Sequence, residues 1–182
     1  MKILKPFAIL AFTLMSFIVK AQNRPNIIFF LVDDMGWQDA SVPFWDSTTA
    51  QNKKFHTPNM ERLAQQSMKF TNAYANSICT PSRVSLMSGM NAANHRVTNW
   101  TAYKDTAVDA KDSLLKIPDW NVNGLSPIPG DSKSVYVTPL TQILKNNSYY
   151  TIQCGKANFG SDGTMGANRL NMGFVTNSMC SG

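Results

Sequence analysis

A cysteine at the start of a predicted helix is the residue in this sequence that is best placed to do chemistry. Cys79 stands two residues before Pro81, which suits the first helical position because proline has no backbone N–H to leave unpaired there. Gly89 is typical of a helix C-terminus. The helix N-terminus attracts anions, and Arg83, one turn further on, adds a guanidinium. The segment therefore predicts a site for a tetrahedral anion. The alternative is a structural cysteine, since cysteine often packs as a small apolar residue.

Two adjacent carboxylates follow an apolar run near the start of the chain. Residues 26–32, Asn-Ile-Ile-Phe-Phe-Leu-Val, show no polar alternation, which predicts a strand buried on both faces. Asp33 and Asp34 come next, and Gly36 permits the turn through which both side chains can converge. Carboxylates at the end of such a strand are typical ligands of Ca²⁺ or Mg²⁺. The alternative is a pair of acids that only cap a turn.

A lysine ends the third candidate segment. Thr138 as N-cap and Pro139 as first residue predict a helix, whose inward residues would be Leu140, Ile143 and Leu144. A strand over residues 149–154 follows, and Gly155 and Lys156 lie at its C-terminal end. Lys156 is a candidate anion ligand, and the alternative is an ordinary surface lysine.

The remaining elements connect these segments. Thr57 and Pro58 predict the start of another helix, with an apolar stripe of Met60, Leu63, Ala64 and Met68. A short strand over residues 69–75 would lead to Cys79. Residues 98–137 are rich in turn formers and predict a long surface insertion. Its aromatic residues either stack on a sugar ring or, as we expect, anchor the loop; they are Trp100, Tyr103 and Trp120.

The three segments together resemble the type I, formylglycine-dependent sulfatases of the alkaline-phosphatase-like superfamily. Residues 79–89 contain that family's Cys-x-Pro-Ser-Arg motif with an apolar pair and a glycine after it. Residues 25–34 are similar to its opening Pro-Asn-Ile, apolar run and Asp-Asp. Residues 148–156 are similar to its second signature, which ends in Gly-Lys. The resemblance implies a three-layer α/β/α sandwich around a mostly parallel sheet, which is incomplete in this chain.

The resemblance also implies a reaction. Cys79 would be oxidised by a formylglycine-generating maturation enzyme, and the hydrated aldehyde would attack the sulfur of a sulfate monoester. Asp33, Asp34 and the position of Cys79 would hold a divalent metal, Ca²⁺ before Mg²⁺. Arg83 and Lys156 would offset the charge on the sulfate oxygens. The implied substrate is a sulfated glycan or small molecule.

Several positions depart from the family pattern. Met90 stands where an arginine is usual, Ser148 replaces a glycine, and Asn158 replaces a histidine that could shuttle a proton. His95 either orients the site or is a structural loop residue. The family's later metal and sulfate ligands have no counterpart here, and Asp162 is a weak substitute. The alternatives to a sulfatase are a phosphodiesterase or phosphonate hydrolase of the same superfamily, and an inactive fragment.

The N-terminus predicts export. Lysines at positions 2 and 5 precede an apolar run over residues 6–19, and Ala21 offers a cleavage point, so residues 1–21 are interpreted as a signal peptide and 22–182 as the catalytic portion. The apolar run is too short for a transmembrane helix, so no span is expected after cleavage. Cleavage would lower the net charge from +6 to +3, and the basic residues are scattered, which argues against nucleic acid. We expect a secreted or periplasmic protein in which Cys154 and Cys180 are free to pair.

Overall fold

The structure, a computed structural model, describes residues 24–109, 111 and 113–175. It consists of two compact units, the first ending at Met35 and the second beginning at Gly36. The predicted signal peptide and Cys180 lie outside the described residues. No helix in the described ranges is both long and apolar enough to cross a membrane.

The first unit does not contain the predicted buried strand. Residues 24–32 have no regular secondary structure, and their apolar side chains are exposed, Ile28 at 91% and Phe30 at 86%. A strand needs a neighbour to take up its backbone hydrogen bonds, and none is described within this unit. The prediction for residues 26–32 is therefore wrong in this structure. A bend does follow the run, because Asp34 adopts a left-handed φ of 54°.

The second unit contains four α-helices and two short 3₁₀ helices among its described residues. The α-helices are α1 (Pro58–Gln66), α2 (Cys79–Ser88), α3 (Ala92–His95) and α4 (Leu140–Asn146). The 3₁₀ helices are Asn52–Lys54 and Met165–Ala167. All three predicted helices are present, as α1, α2 and α4.

Helix α1 begins as predicted, with Thr57 as N-cap and Pro58 in the first position. The hydroxyl oxygen of Thr57 does not cap the helix; it accepts the backbone N–H of Ser41 at 3.0 Å. No residue of α1 is buried, so the predicted apolar stripe does not face a core. The stripe instead lines an open apolar groove of about 300 Å³ together with Val42 and Phe44.

Helix α4 begins one residue later than predicted, with Pro139 as N-cap. The predicted inward residues Leu140 and Ile143 are 42% and 48% exposed, and Thr141 is buried in their place. This prediction is wrong because α4 packs through a polar contact: the hydroxyl of Thr141 donates to the carbonyl of Met172. The next residue, Gly173, has a φ of 91° and approaches the α4 backbone too closely to admit a Cβ.

Part of the core lies in a segment that was expected to be a surface insertion, which contributes four of the nine buried apolar residues of the core. Strands β1 (Leu125–Ser126) and β2 (Val135–Tyr136) pair in parallel, with Leu125 opposite Val135. The buried apolar residues of this core come from α2, from the position just before the segment, from the segment itself and from residues 159–174; they are Val84, Val97, Trp120, Val122, Leu125, Val135, Phe159, Met172 and Phe174. Trp120, Val122, Leu125 and Val135 are thus core residues, and the insertion prediction is wrong for the stretches that carry them, whereas residues 127–134 lie at or near the surface.

The architecture agrees with the α/β class but not with a large sheet. The described residues form a single two-stranded parallel sheet beside the helices. The predicted strands over residues 69–75 and 149–154 have no strand hydrogen bonding. The second of these is nevertheless fixed, because Val175 donates its N–H to the carbonyl of Thr151 at 3.0 Å. A parallel sheet depends on pairing between distant segments, so a strand pattern alone does not create one.

Candidate active site

Cys79 is the first residue of α2, and the loop before it is tied to the helix. The sequence predicts Pro81 as the first helical residue, but it is the third, and Ile78 is the N-cap. The hydroxyl of Ser82 donates to the carbonyls of Asn76 and Ile78, at 3.1 and 3.0 Å. These bonds tie the loop before the helix to its first turn. They fix the half-buried Cys79 at the positive end of the helix dipole. Helix α2 ends as predicted at Gly89, which is left-handed.

Lys156 reaches Cys79 from the other side of the site. Its Nζ lies 3.0 Å from the Cys79 Sγ, within hydrogen-bonding distance for a nitrogen and a sulfur, although the two residues are 77 positions apart. The Lys156 side chain is exposed and Cys79 is half-buried, so the pair is accessible from solvent. An ammonium beside a helix N-terminus is a suitable place for a doubly charged oxyanion.

Arg83 belongs to the same cluster but acts on the backbone. Its side chain is only 6% exposed, and its Nη1 donates to the carbonyl oxygen of Lys156 at 2.8 Å. This bond joins α2 to the segment that carries the lysine. The described geometry therefore brings Cys79, Arg83 and Lys156 together, with Arg83 in contact with the main chain behind Lys156.

Two further side chains hold the lysine segment, and neither was identified from the sequence. Gln153 donates to the carbonyls of Gly155 and Lys156, at 2.9 and 3.0 Å. Arg169 donates to the carbonyl of Gly155 at 3.1 Å. Downstream, Phe159 is buried in the core and its carbonyl accepts the N–H of Leu125 at 2.8 Å. The position of Lys156 is thus set by local hydrogen bonds from Gln153 together with the more distant bond from Arg169.

A fully buried histidine supports α2 from beneath. His95 Nδ1 accepts the N–H of Val97 at 3.0 Å, so Nε2 carries the proton and donates to the Ser85 hydroxyl at 2.9 Å. Asn76 also donates to Ser85, at 3.0 Å. Burial lowers the pKa of His95, and the nearby Pro81 carbonyl opposes that shift. Of the two interpretations of His95, the contacts favour a residue that orients α2, which carries the Cys-x-Pro-Ser-Arg motif and is called the signature helix.

The two carboxylates of the first unit lie close to each other. Oxygen atoms of Asp33 and Asp34 approach within 4.8 Å, which the left-handed Asp34 makes possible for neighbours in sequence. Two hard oxygen donors at this spacing fit Ca²⁺ or Mg²⁺. The donor set therefore suits the implied metal, and a role for Cys79 in holding that metal stays a prediction.

The remaining candidates take no visible part in the cluster. Asp162 is exposed and forms a backbone bridge with Tyr103. Trp120 is buried and donates its Nε1–H to Asp109 at 2.6 Å, as expected of an anchor, whereas Trp100 is 53% exposed. The pairing of Cys154 stays a prediction.

Comparison with known proteins places the chain in a family. A model of the family described as Sulfatase matches residues 25–179. A sulfatase from Formosa agariphila is 35% identical over 138 residues, 75% of this chain and 23% of that protein. An N-acetylgalactosamine-6-O-sulfatase from Bacteroides thetaiotaomicron is 35% identical over 136 residues, 67% of this chain and 25% of that protein. The human N-acetylgalactosamine-6-sulfatase is 34% identical over 100 residues, 54% of this chain and 18% of that protein.

The chain thus spans about a quarter of the length of the relatives that it matches. The family match covers the cysteine helix, the paired carboxylates and the Gly-Lys segment together. The chain belongs to the sulfatase family, the type I sulfatases of the alkaline-phosphatase-like superfamily, and corresponds to the N-terminal portion of such a protein.

Proposed function

We propose that the protein takes part in the hydrolysis of sulfate monoesters, with residue 79 as the source of the nucleophile. The observation that carries this proposal is the 3.0 Å contact between the Lys156 Nζ and the Cys79 Sγ. The exposed ammonium of Lys156 and the N-terminus of α2 both attract a sulfate group. Both lie next to residue 79, whose side chain would attack the sulfur.

Each residue of the cluster has a proposed task. Lys156 binds an oxygen of the sulfate and offsets the charge that develops there during attack. Arg83 keeps Lys156 in place through the main-chain carbonyl, and its guanidinium adds positive charge behind the site. Helix α2 orients residue 79, and the bonds from Ser82 keep that helix terminus fixed.

Two groups that the family implies fit the residues present. Formylglycine made from Cys79 would supply, as its hydrate, a nucleophile and a second hydroxyl to release the sulfate. A Ca²⁺ or Mg²⁺ held by Asp33, Asp34 and residue 79 would polarise the sulfate. The carboxylate spacing and the half-exposed Cys79 support these assignments.

The proposed substrate class is a sulfated carbohydrate. Two of the relatives are named for N-acetylgalactosamine 6-sulfate. The Cys79 cluster supports the sulfate half of this proposal, and the names of these relatives support the carbohydrate half.

The chain alone is expected to show no turnover, because the family's later metal and sulfate ligands have no counterpart in it. Turnover by a full-length sulfatase in which residues 22–182 replace the corresponding N-terminal portion, co-expressed with a formylglycine-generating enzyme, therefore tests the proposal. We expect hydrolysis of an aryl sulfate in the presence of Ca²⁺, faster than that of an aryl phosphodiester. Cys79→Ala should abolish it, and Lys156→Ala should reduce it by roughly 10²-fold or more, the usual loss for one charge-stabilising group. Cys154→Ala and Lys145→Ala are the matched controls and should retain it.

Faster hydrolysis of the phosphodiester would favour the phosphodiesterase alternative. An aldehyde at residue 79 without turnover of either ester would favour the inactive fragment.

A further inference from the structure

The contact between Lys156 and Cys79 has a chemical consequence once residue 79 is an aldehyde. In the maturation that the proposed function requires, the Sγ is replaced by an oxygen and the Cβ becomes a carbonyl carbon. The Lys156 Nζ lies 3.0 Å from the present Sγ, so it would then lie beside the carbonyl oxygen. That oxygen is bonded directly to the electrophilic carbon. A primary amine at such a distance from an aldehyde is a nucleophile as well as a cation.

We propose that Lys156 condenses with the aldehyde at residue 79 to form an internal imine when no oxyanion occupies the site. The inference rests on the proposed function, because it requires the aldehyde. The Lys156 ammonium first releases one proton to water. The neutral amine then adds to the carbonyl carbon, a carbon–nitrogen double bond replaces the carbon–oxygen bond, and the oxygen leaves as water with both amine hydrogens, so that the product is a neutral imine. The step needs no oxidant or reductant.

Proximity favours this reaction over its intermolecular equivalent. Reacting groups held about 3–3.5 Å apart have effective concentrations of roughly 10⁵ M or more when they are well oriented. The backbone of Lys156 is fixed by Arg83 and Gln153, while its exposed side chain retains the rotations needed to close the remaining gap. Imines that are unfavourable between separate molecules in water therefore become accessible here.

The imine would inactivate the site reversibly. It uses up the electrophilic carbon and removes the cation that binds sulfate, so both functions of the pair are lost together. An oxyanion bound to the Nζ withdraws that nitrogen from the aldehyde. Substrate and inorganic sulfate should thus favour hydrolysis of the imine back to the aldehyde. While the site is empty, the imine would protect the aldehyde from foreign amines.

Reductive trapping tests the proposal on the full chain matured by co-expression. Sodium cyanoborohydride converts an imine to a stable secondary amine, which peptide mass spectrometry detects as a cross-link between the peptides that contain residues 79 and 156. We expect that cross-link in the native protein. Inorganic sulfate or prior unfolding should reduce its yield by at least roughly tenfold, since both remove the proximity.

Matched variants separate a specific imine from random reduction. Lys156→Arg keeps the charge but cannot form the imine, so the cross-link should vanish, and Lys145→Arg should leave it intact. A melting curve of each variant verifies that it folds. Equal cross-linking of residue 79 to other lysines, or none to Lys156, would overturn the proposal.

Capture of the aldehyde with an aminooxy probe in denaturant distinguishes the two possible failures. An aldehyde at residue 79 without a cross-link overturns the imine and leaves the nucleophile assignment intact. No aldehyde at residue 79 overturns both.

Discussion

Arg83 in the signature helix donates a hydrogen bond, at 2.8 Å, to the main-chain carbonyl of Lys156, 73 residues further along the chain. The two cations of the cluster, Arg83 and Lys156, therefore have different roles. Lys156 presents its charge to solvent at Cys79, whereas Arg83 is buried and fixes the segment from which Lys156 extends. The sequence motif suggested two sulfate ligands, and the geometry adds a positioning task to one of them.

Replacing Arg83 with lysine tests that positioning task. A lysine keeps the charge but lacks the planar fork, so the Lys156 carbonyl loses one of its two donors and keeps only Gln153. We expect the free energy of unfolding to fall by about 1–3 kcal/mol, as for a lost hydrogen bond to a charged group. The KM for an aryl sulfate should rise as Lys156 becomes less well placed.

Arg96→Lys is the control for this change. Arg96 is exposed and also donates to a backbone carbonyl, that of Asp119. Its replacement should change stability by less than about 0.5 kcal/mol. Equal effects of the two substitutions in denaturant unfolding would contradict a special role for Arg83.

Stability should depend on pH through His95. Burial lowers the pKa of His95 below its ordinary value of 6.5, so the unfolded state binds more protons than the folded state once the pH falls through 6.5. The stability that neutral His95 provides is complete above that pH and is lost progressively below it. A proton on Nδ1 would also remove the acceptor for the Val97 N–H.

The second histidine of the chain provides the comparison. His56 is exposed, so His56→Gln should keep the loss of Tm between about pH 7 and pH 5, whereas His95→Gln should flatten it. An unchanged pH profile in His95→Gln would show that other groups are responsible.

The local features of the site were predictable from the sequence. The Cys79 helix, its end at Gly89 and the start of α1 at Pro58 follow from cap residues and proline positions, which act over a few residues. The start of α2 was displaced by two residues because Ser82 bonds back to the carbonyls of the preceding loop. Local chemistry thus placed the helices and left their ends to tertiary contacts.

The tertiary relationships were beyond the sequence. Residues 117–137 were interpreted as surface because their turn formers hide the apolar positions Trp120, Val122 and Leu125 that build the core. The predicted strand at 26–32 has the right composition and no described partner within its unit. Arg83 and Arg169 support the lysine segment from 73 and 14 residues away, and a single sequence does not encode such pairings.

A glycine packed on β1 should be essential for the core. A Cβ on Gly166 would overlap the carbonyl oxygen of Leu125, a backbone atom that cannot move aside. Gly166→Ala should lower the free energy of unfolding by at least about 3 kcal/mol, at the high end for single substitutions. Gly89→Ala, whose Cβ would meet open space, should cost only the strain of a left-handed alanine, about 1–2 kcal/mol. Denaturant unfolding of both variants compares the two costs.

Export remains a prediction that protein chemistry can test. The basic start, apolar run and Ala21 predict cleavage between Ala21 and Gln22. N-terminal sequencing of the protein recovered outside the cytoplasm should begin at Gln22. A mature protein that still begins at Met1 would contradict the prediction.

The central claim is that Cys79 is the precursor of the nucleophile, and peptide mass spectrometry tests it most directly. After co-expression with a formylglycine-generating enzyme, we expect an aldehyde at residue 79, captured by an aminooxy probe. Cys154, which lacks a proline and an arginine at the corresponding offsets, should remain a thiol. Pro81→Ala and Arg83→Ala should each lower the conversion, since both residues belong to the recognised segment. A thiol at Cys79, in a preparation where a control sulfatase is fully converted, would contradict the claim.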